Sequence, residues 1–326
     1  MGRRGTYRNI IILLILCLLL LWTGILKLNR RPKDEKLLVR VNNKSVCPLK
    51  LRFSNVSLTV TALASFPGSG NSWLRHRLQQ ATGIYTGSVD DEKFMIDNGY
   101  LGEGFTDGSV LVVKTHHRYD DQRQIGGHYK KAVLLLRDPY DAILSWFQLA
   151  LTDNHTATVS PQKFCSAWPK NISNLIKIWV RFVESWLKFP GPLHLVFYDG
   201  LKTNPVETLR DLLLFLDQTT STLKCGLIND EGVAHRKQRV SMDGLYSKNI
   251  SSKLNSHIYD VYLAIKDLNV KNKAFVLNWV KYYKGYITPW YQSHCKVLNT
   301  TSNNLNGRRN SADDRITYMN DVVFRY

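Results

Sequence analysis

The chain has 326 residues, of which 44% are hydrophobic and 21% are charged, and its formal net charge is +18. Seven of the positive charges lie in residues 1–33, which contain no acid, so the remainder of the chain carries +11. This charge favours a polyanionic ligand. The pI near 9.7 would also suit a nucleic-acid-binding protein. The chain contains no recognised nucleic-acid module, so we exclude that class of function.

A hydrocarbon segment near the N-terminus is the first predicted element. Residues 10–26 are almost entirely apolar, and Leu28 extends the run to the length of a short transmembrane helix. The run is long for the apolar core of a signal peptide, and no small-residue cleavage site follows it. We therefore predict a cytosolic tail over residues 1–9 and an uncleaved signal anchor over residues 10–28. Basic residues flank the anchor on both sides, so charge does not decide its orientation.

Six sequons for N-glycosylation follow the predicted anchor and give its orientation. They are at Asn43, Asn55, Asn154, Asn171, Asn249 and Asn299. Some such triplets arise by chance, yet six in one chain favour a lumenal C-terminal portion. Four cysteines also follow the anchor, namely Cys47, Cys165, Cys225 and Cys295. In an oxidising compartment they allow two disulfides with three connectivities, and their spacing fits no zinc pattern.

The lumenal portion divides into three parts by composition. Residues 29–58 are charged and polar with little periodicity, which is typical of a stem. Residues 59–298 are long enough for one α/β domain with its own core. Residues 299–326 turn polar and are predicted to form a C-terminal tail. We therefore expect a type II membrane protein with a single lumenal domain.

The first of two candidate anion sites follows a buried strand that we predict over residues 60–66. A turn of small residues comes next and leads into a helical pattern; it comprises Gly68, Ser69, Gly70, Asn71, Ser72 and Trp73. Glycines let the backbone bend around an anion, and a helix N-terminus directs free N–H groups at it. The turn lacks the lysine of an NTPase P-loop, and an ordinary Pro-Gly turn is the alternative interpretation.

A second turn of this kind follows the apolar run at residues 132–136. Asp138 is a good helix N-cap, and a proline occupies the first helical position after it. Arg137 stands where the strand ends, so its side chain can reach a cleft at the carboxyl edge of the sheet, and Ser145 lies about two helical turns further on. The alternative is that Arg137 pairs with Asp138 or Asp141. Two anion sites in one domain predict a ligand with an anion at each end.

Between the two turns, residues 110–117 read as a strand that ends in Lys114, Thr115 and two histidines. A histidine at the carboxyl end of a strand is well placed as a general base, because its ordinary pKa lies near working pH. The preceding Lys114 and Thr115 favour His116 over His117 for this role.

Later segments continue the alternation of strands and helices. A strand is predicted over residues 193–199, and a leucine-rich helix follows the cap at Asn204. A strongly amphipathic helix precedes that strand, and its aromatic residues are assigned to the core rather than to a ligand site. A further helical pattern covers residues 252–268.

These motifs together resemble the sulfotransferase superfamily, whose enzymes use 3′-phosphoadenosine 5′-phosphosulfate as donor. The pattern is Ser-Gly-x-x-Trp after one strand, Lys-Thr-His after another, Arg followed eight residues later by Ser, and Tyr-Asp-x-Leu-x-x-Asn-Pro before a helix. The amino-acid sequence of the first turn looks closest to that of the WSC-domain-containing sulfotransferases, which are described as sialate O-sulfotransferases. We expect a short member without the cysteine-rich modules. The implied fold is a P-loop-like parallel sheet flanked by helices.

The resemblance implies a role for each matching residue. The turn from Gly68 to Trp73 corresponds to the loop that holds the 5′-phosphosulfate. Arg137 and Ser145 correspond to the pair that holds the 3′-phosphate. Tyr198 corresponds to a tyrosine near the nucleotide, and His116 to the catalytic base.

One departure from the superfamily pattern concerns charge. The superfamily usually has Lys or Arg where this chain has Gly68, and that cation stabilises the departing phosphate. Lys114 and Arg75 are our candidates for supplying the charge instead. Arg236 and Lys237 fall where the family has a basic loop over the 3′-phosphate, although the residues around them match poorly.

The implied reaction is in-line transfer of a sulfuryl group to a glycan hydroxyl in the Golgi, without a metal and with sialic acid as the candidate acceptor. Two other readings compete with it. A non-catalytic Golgi glycoprotein that retains the fold is favoured by Gly68. A nucleotide-dependent kinase would need a P-loop lysine and an acidic metal ligand beside the first turn, and the sequence has neither. The anchor and the sequons argue further against nucleic acid as a partner.

Overall fold

The computed structural model describes residues 47, 50–121, 129–152, 159–228, 245–268 and 271–280. All of them belong to one compact unit within residues 38–326. Several predicted features lie outside the described residues, namely the anchor, the sequons at Asn43, Asn154 and Asn299, the pair Arg236 and Lys237, and the C-terminal tail. Of the helices within the described ranges, none combines the length and the apolarity needed to cross a membrane.

Five parallel strands form the central sheet in the order β2–β3–β1–β4–β5. They are β1 (Thr61–Ser65), β2 (Gly87–Ser88), β3 (Val113–Thr115), β4 (Lys131–Leu136) and β5 (Leu193–Phe197). β1 pairs with β3 on one side and with β4 on the other. From β1 the chain first forms β2 at one edge, returns to β3 beside β1, and then crosses to the β4 side. The carboxyl ends of β3, β1 and β4 therefore lie side by side, and ligands of open α/β sheets bind at such a reversal.

Helices connect the strands and cover both faces of the sheet. They are α1 (Asn71–Thr82), α2 (Lys93–Asp97), α3 (Pro139–Thr152), α4 (Pro161–Leu187), α5 (Tyr198–Thr203), α6 (Pro205–Phe215), a 3₁₀ helix (Leu223–Leu227), α7 (Lys248–Ile265) and α8 (Phe275–Asn278). The predicted start of α3 is confirmed. Pro139 is its first residue, and the Asp138 carboxylate accepts a hydrogen bond from the Tyr140 N–H at 3.0 Å.

Alternate residues of the central strands face two separate cores. Ala62 and Leu134 point to the side covered by aromatic residues of α3 and α4, together with α7. Leu63 and Val133 point to the other side, which is packed by leucines of α1 and α6. Because both faces of the sheet are buried, its strands read as continuous apolar runs rather than as alternating ones.

Two strands differ from the sequence prediction by two or more residues at an end. β3 covers only Val113–Thr115 instead of residues 110–117, because pairing with β1 begins at Ala62 and β2 is two residues long. β5 ends at Phe197, and Tyr198 begins helix α5 instead of continuing the strand to residue 199. The chain thus turns away from the sheet at the residue that was predicted to lie near the nucleotide.

The last residues of the predicted stem pack on the domain. Arg52 forms a β-bridge with Ile84. The ring of Phe53 lies 5.0 Å from that of Tyr85 and 4.7 Å from that of Phe105. The segment from residue 50 onward is therefore part of the folded unit.

Cys47 and Cys225 form a disulfide that spans 178 residues of sequence. Cys165 is disulfide-bonded as well. The expectation of disulfides is thereby confirmed, and the pairing is one of the three that the sequence left open. It fixes the segment before the domain to the 3₁₀ helix.

Three of the predicted sequons fall within the described residues and differ in their surroundings. Asn55 is exposed on a bend before β1, and Asn249 is exposed in the first turn of α7. Asn171 lies inside α4, where its side-chain amide donates to the Ala167 carbonyl at 2.8 Å. Glycosylation at these sites stays a prediction.

Candidate active site

The first predicted anion site lies between the carboxyl end of β1 and the N-terminus of α1. Gly68 and Gly70 have left-handed backbone conformations, with φ of +80° and +94°. Gly70 caps α1, and the Leu74 N–H donates to its carbonyl at 3.0 Å. Ser69 is buried and Ser72 is half-buried. Because the first N–H groups of a helix have no partner within it, this turn offers donors to an anion.

Asn71 faces the strand rather than the turn. Its side-chain NH₂ group donates to the Leu63 carbonyl at 3.1 Å and to Ser65 Oγ at 3.0 Å. Its Oδ1 is buried and has no hydrogen-bond partner among the described residues. The side chain of Asn71, which the resemblance places in the loop that holds the 5′-phosphosulfate, therefore fastens the turn to β1 in this structure.

Gly68 packs so closely against helix α3 that no side chain fits at this position. A Cβ built on its backbone would lie 2.6 Å from the Ala142 carbonyl oxygen and 2.9 Å from the Trp146 nitrogen, whereas real Cβ atoms essentially never come within 3.0 Å. The positive φ adds strain for any other residue. The usual lysine or arginine cannot be accommodated while the turn holds this position.

Arg137 and Ser145 lie directly beside the first turn. Arg137 Nη1 donates to the Gly68 carbonyl at 2.7 Å, and its Nη2 donates to Asp141 at 3.4 Å. Its Nε is buried without a hydrogen-bond partner among the described residues. Ser145 Cβ would lie 3.0 Å from a Cβ at Gly68. The pairing with Asp141 that was the alternative reading exists, but it is long and leaves part of the guanidinium unused.

Two aromatic rings and two arginines form a stack across the site. The Arg137 guanidinium lies 4.6 Å from the Tyr198 ring centroid, and the Tyr198 and Trp73 rings are 5.3 Å apart. Arg77 covers the Trp73 ring at 4.4 Å. Tyr198 also packs on Gly70, where a Cβ would lie 2.8 Å from its ring. Such faces suit a planar, anionic ligand.

His116 follows β3 and contacts the neighbouring end of β1. Its Nδ1 lies 2.7 Å from the Ser65 carbonyl oxygen, which only accepts, so Nδ1 carries the proton and the Nε2 lone pair remains for chemistry. Burial, followed by the charge of Lys114, lowers the pKa of His116 to about 4 against the opposing charge of Asp90. The ring is half-buried and neutral near pH 7, which a general base requires.

The two predicted substitutes for the missing cation are both engaged with acids. Lys114 is 4% exposed, and its Nζ lies 2.6 Å from Glu92 and 3.1 Å from Asp90. Burial disfavours its charge, but these carboxylates prevail and raise the pKa of Lys114. Arg75 pairs with Glu103 at 2.6 Å, and both side chains are fully buried. Arg75 therefore belongs to the interior, and the catalytic role of Lys114 stays a prediction.

Three residues around the site were missed by the sequence analysis. Asp90 and Glu92 follow β2, which is too short to give a periodic signal. Arg77 lies four residues after Trp73 on α1. That spacing brings side chains together on one face of a helix and could have identified Arg77.

Comparison with known proteins agrees with these motifs. A sulfotransferase domain family matches residues 105–252. A WSCD family member from Aedes aegypti is 39% identical over 213 residues, which are 63% of this chain and 66% of the relative. A WSCD family member from Drosophila melanogaster is 35% identical over 210 residues, 62% of this chain and 65% of the relative. The matches thus span just under two thirds of these relatives, and the resemblance seen in the motifs is confirmed.

Solved structures give a weaker similarity. Mouse sulfotransferase SULT7A1 complexed with PAP matches with a TM-score of 0.44 and 16% identity, over 68% of this chain and 89% of that chain. A sulfotransferase from Alicyclobacillus acidocaldarius matches with a TM-score of 0.39 and 13% identity, over 65% and 96% of the two chains.

Proposed function

We propose that this chain, which is similar to WSCD family members and matches a sulfotransferase domain family, transfers a sulfuryl group from 3′-phosphoadenosine 5′-phosphosulfate to a glycan hydroxyl. One observation carries the proposal. The neutral His116 after β3, the glycine turn after β1 and Arg137 after β4 lie at three adjacent strand ends. A base, an anion cradle and a cation in that order suit a hydroxyl acceptor and a donor with an anion at each end.

The two turns would hold the donor by its anions. The N–H groups at the start of α1 would bind the 5′-phosphosulfate. Arg137 and Ser145 would bind the 3′-phosphate by charge-assisted hydrogen bonds, and the unused Nε of Arg137 supports this role. Trp73 and Tyr198 offer aromatic faces to the adenine.

His116 would start the transfer. Its Nε2 accepts the proton of the acceptor hydroxyl while that oxygen attacks sulfur, the bond between sulfur and the phosphate oxygen breaks, and 3′,5′-adenosine bisphosphate leaves with the electron pair. The hydrogen bond from Nδ1 to the Ser65 carbonyl holds the ring in the required tautomer. General base catalysis of this kind contributes roughly 10²–10⁴-fold.

Charge on the departing phosphate would be stabilised without a loop lysine. Gly68 leaves no room for one, and the guanidinium of Arg137 is bound to the carbonyl of that same residue. The backbone N–H groups at the start of α1 would therefore stabilise that charge.

The proposal includes a Golgi location, with the anchor over residues 10–28 and the enzyme in the lumen. The six sequons and the disulfide between Cys47 and Cys225 support an oxidising compartment. The excess positive charge suits an anionic donor and an anionic acceptor. Sialylated glycans are the first acceptors to test, following the sialate O-sulfotransferases that the sequence resembles.

Thermal unfolding with the spent donor tests the nucleotide site. Full-length protein in detergent is heated with and without 3′,5′-adenosine bisphosphate at about a hundred times its Kd, which adds about 2.7 kcal/mol to stability. We expect Tm to rise by several degrees, and the rise to fall by about half or more in Arg137→Ala. Absence of a shift at millimolar ligand would remove the donor assignment.

Sulfate transfer to sialylated and neutral glycans tests the reaction itself. A second candidate function, a pseudoenzyme, is favoured by Gly68 and by the ion-paired state of Lys114. Nucleotide binding without transfer to any acceptor would establish that second function. Transfer that depends on His116 would exclude it.

A further inference from the structure

We infer that Arg77 is a positioning residue for the donor site, and that the 3₁₀ helix with its disulfide to Cys47 holds Arg77 in place. The inference rests on the proposed function, because Arg77 acts through Trp73, the last residue of the turn from Gly68 to Trp73 that we propose binds the donor. It gives a role to an arginine, a short helix and a disulfide that lie outside that turn.

Arg77 is only 8% exposed, yet none of the described carboxylates pairs with it. Its guanidinium lies 4.4 Å from the Trp73 ring centroid, and its Nη1 donates to the Gly226 carbonyl at 3.0 Å. Burial lowers the pKa of Arg77, but an arginine remains charged in proteins. A buried cation is therefore held by one aromatic face and one carbonyl, and its position depends on both.

The ring that Arg77 covers belongs to the donor site. Trp73 lies in the first turn of α1, directly after the glycine turn. Its ring contacts Tyr198, and Tyr198 in turn lies against the Arg137 guanidinium. Movement of Arg77 would change the support of Trp73, and with it the surface offered to the nucleotide.

The 3₁₀ helix is fixed against α1 at backbone distance. A Cβ at Gly226 would lie 2.7 Å from the Arg77 carbonyl oxygen and 2.9 Å from Ala81 Cβ, so only glycine permits this approach. Thr222 Oγ1 donates to the Ala81 carbonyl at 2.6 Å. These contacts set the place of the Gly226 carbonyl that Arg77 uses.

The disulfide restrains the residue next to that carbonyl. Cys225 precedes Gly226, is buried, and is joined to Cys47 in the segment before the domain. Three contacts thus connect this segment to the donor turn: the disulfide, the hydrogen bond from Arg77 to Gly226, and the face of Trp73. Loss of the disulfide is expected to loosen the carbonyl and weaken donor binding.

A double-mutant cycle on donor affinity tests the inference. The Kd of full-length protein for 3′,5′-adenosine bisphosphate is measured by calorimetry for Arg77→Gln, for Cys47→Ser with Cys225→Ser, and for all three changes together. We expect Arg77→Gln to raise Kd about tenfold and the serine pair about threefold. The increase in Kd of the combined variant should be smaller than the product of the two separate increases, since both changes act at the Gly226 carbonyl. Arg210→Gln, an exposed arginine on α6, should bind like wild type.

Several outcomes would overturn the inference. An unchanged Kd in Arg77→Gln, with or without a lower Tm, would make Arg77 merely structural. If the increase in Kd of the combined variant equals the product of the two separate increases, Arg77 and the disulfide act independently, and the proposed connection between them is wrong. If the variant with both serines does not fold, Arg77→Lys is the test of the inference. Lysine keeps the positive charge but cannot contact the Trp73 ring and the Gly226 carbonyl at the same time. Wild-type affinity of Arg77→Lys for the nucleotide would show that Arg77 does not position the donor site. Failure of wild type to bind the nucleotide would instead remove the proposed function itself.

Discussion

The two sides of β1 treat positive charge in opposite ways. On the β3 side, Lys114 is neutralised by Glu92 and Asp90 at 2.6 and 3.1 Å. On the β4 side, Arg137 has one long contact to Asp141 and a buried Nε without a partner among the described residues. The difference separates two tasks: burial and the charge of Lys114 keep His116 neutral as a base, while the guanidinium of Arg137, which has only one long carboxylate contact, can bind a phosphate.

Replacing the base should have the largest effect on this comparison. We expect His116→Ala to lower kcat by roughly 10²–10⁴-fold, because proton transfer from the acceptor is lost. The Kd for 3′,5′-adenosine bisphosphate should stay unchanged, since the two anion sites follow β1 and β4, whereas His116 follows β3. Steady-state kinetics measures the fall in kcat, and calorimetry measures the Kd. Unchanged kcat would contradict the assignment of the base.

Removal of the Arg137 guanidinium should act on binding instead. We expect Arg137→Ala to raise the Kd for 3′,5′-adenosine bisphosphate by about 10–100-fold, because hydrogen bonds to a charged group are lost. The affinity for adenosine 5′-monophosphate, which lacks the 3′-phosphate, should fall much less in the same variant. Arg181→Ala, an exposed arginine on α4, is the control. An equal loss for both nucleotides would place Arg137 away from the 3′-phosphate.

Introducing the usual loop cation should harm this protein. Gly68→Lys places a Cβ within 3.0 Å of the α3 backbone, so we expect the turn to shift and donor affinity to fall about tenfold or more. Gly99→Lys is a matched control, because Gly99 also has a positive φ, +90°, but nothing lies within 4 Å of its Cβ position. Higher activity in Gly68→Lys would show that the loop tolerates a side chain and that the site merely lacks charge.

The smallest expected effect concerns pH. The pKa of His116 is lowered to about 4, below the ordinary value of 6.5, so the folded protein resists a proton that the unfolded chain accepts. The free energy of unfolding should therefore decrease as pH falls from about 6.5 to 4. His116→Ala should show a flatter dependence in that window by chemical denaturation. In wild type, kcat/KM should hold down to about pH 5 and fall near the lowered pKa. A fall centred at 6.5 would mean that the ring is solvated.

Sequence patterns predicted the parts of the site that depend on local order. β1 and β4 are continuous apolar runs that end in turn residues, and the N-cap at Asp138 follows from its place before a proline. Arg137 and His116 were each predicted at the carboxyl end of a strand, and the parallel sheet brings these ends to one edge.

The remaining features depend on contacts between distant segments. The inward direction of the Asn71 amide follows from its fit to Leu63 and Ser65, and the pairing of Lys114 follows from the approach of the β2–α2 segment. The close contact at Gly68 depends on how α3 packs, and no residue near Gly68 signals it. Tyr198 begins a helix because the chain leaves the sheet there, although its neighbours favour a strand.

The contact between Gly68 and α3 also bears on how such a site changes through evolution. At an open surface a lysine can arise by a single substitution, whereas here the new side chain would meet the backbone of Ala142 and Trp146. A lysine at this position would require α3 to move as well. Searches that demand a cation at this position would pass over chains that carry the same two anion sites.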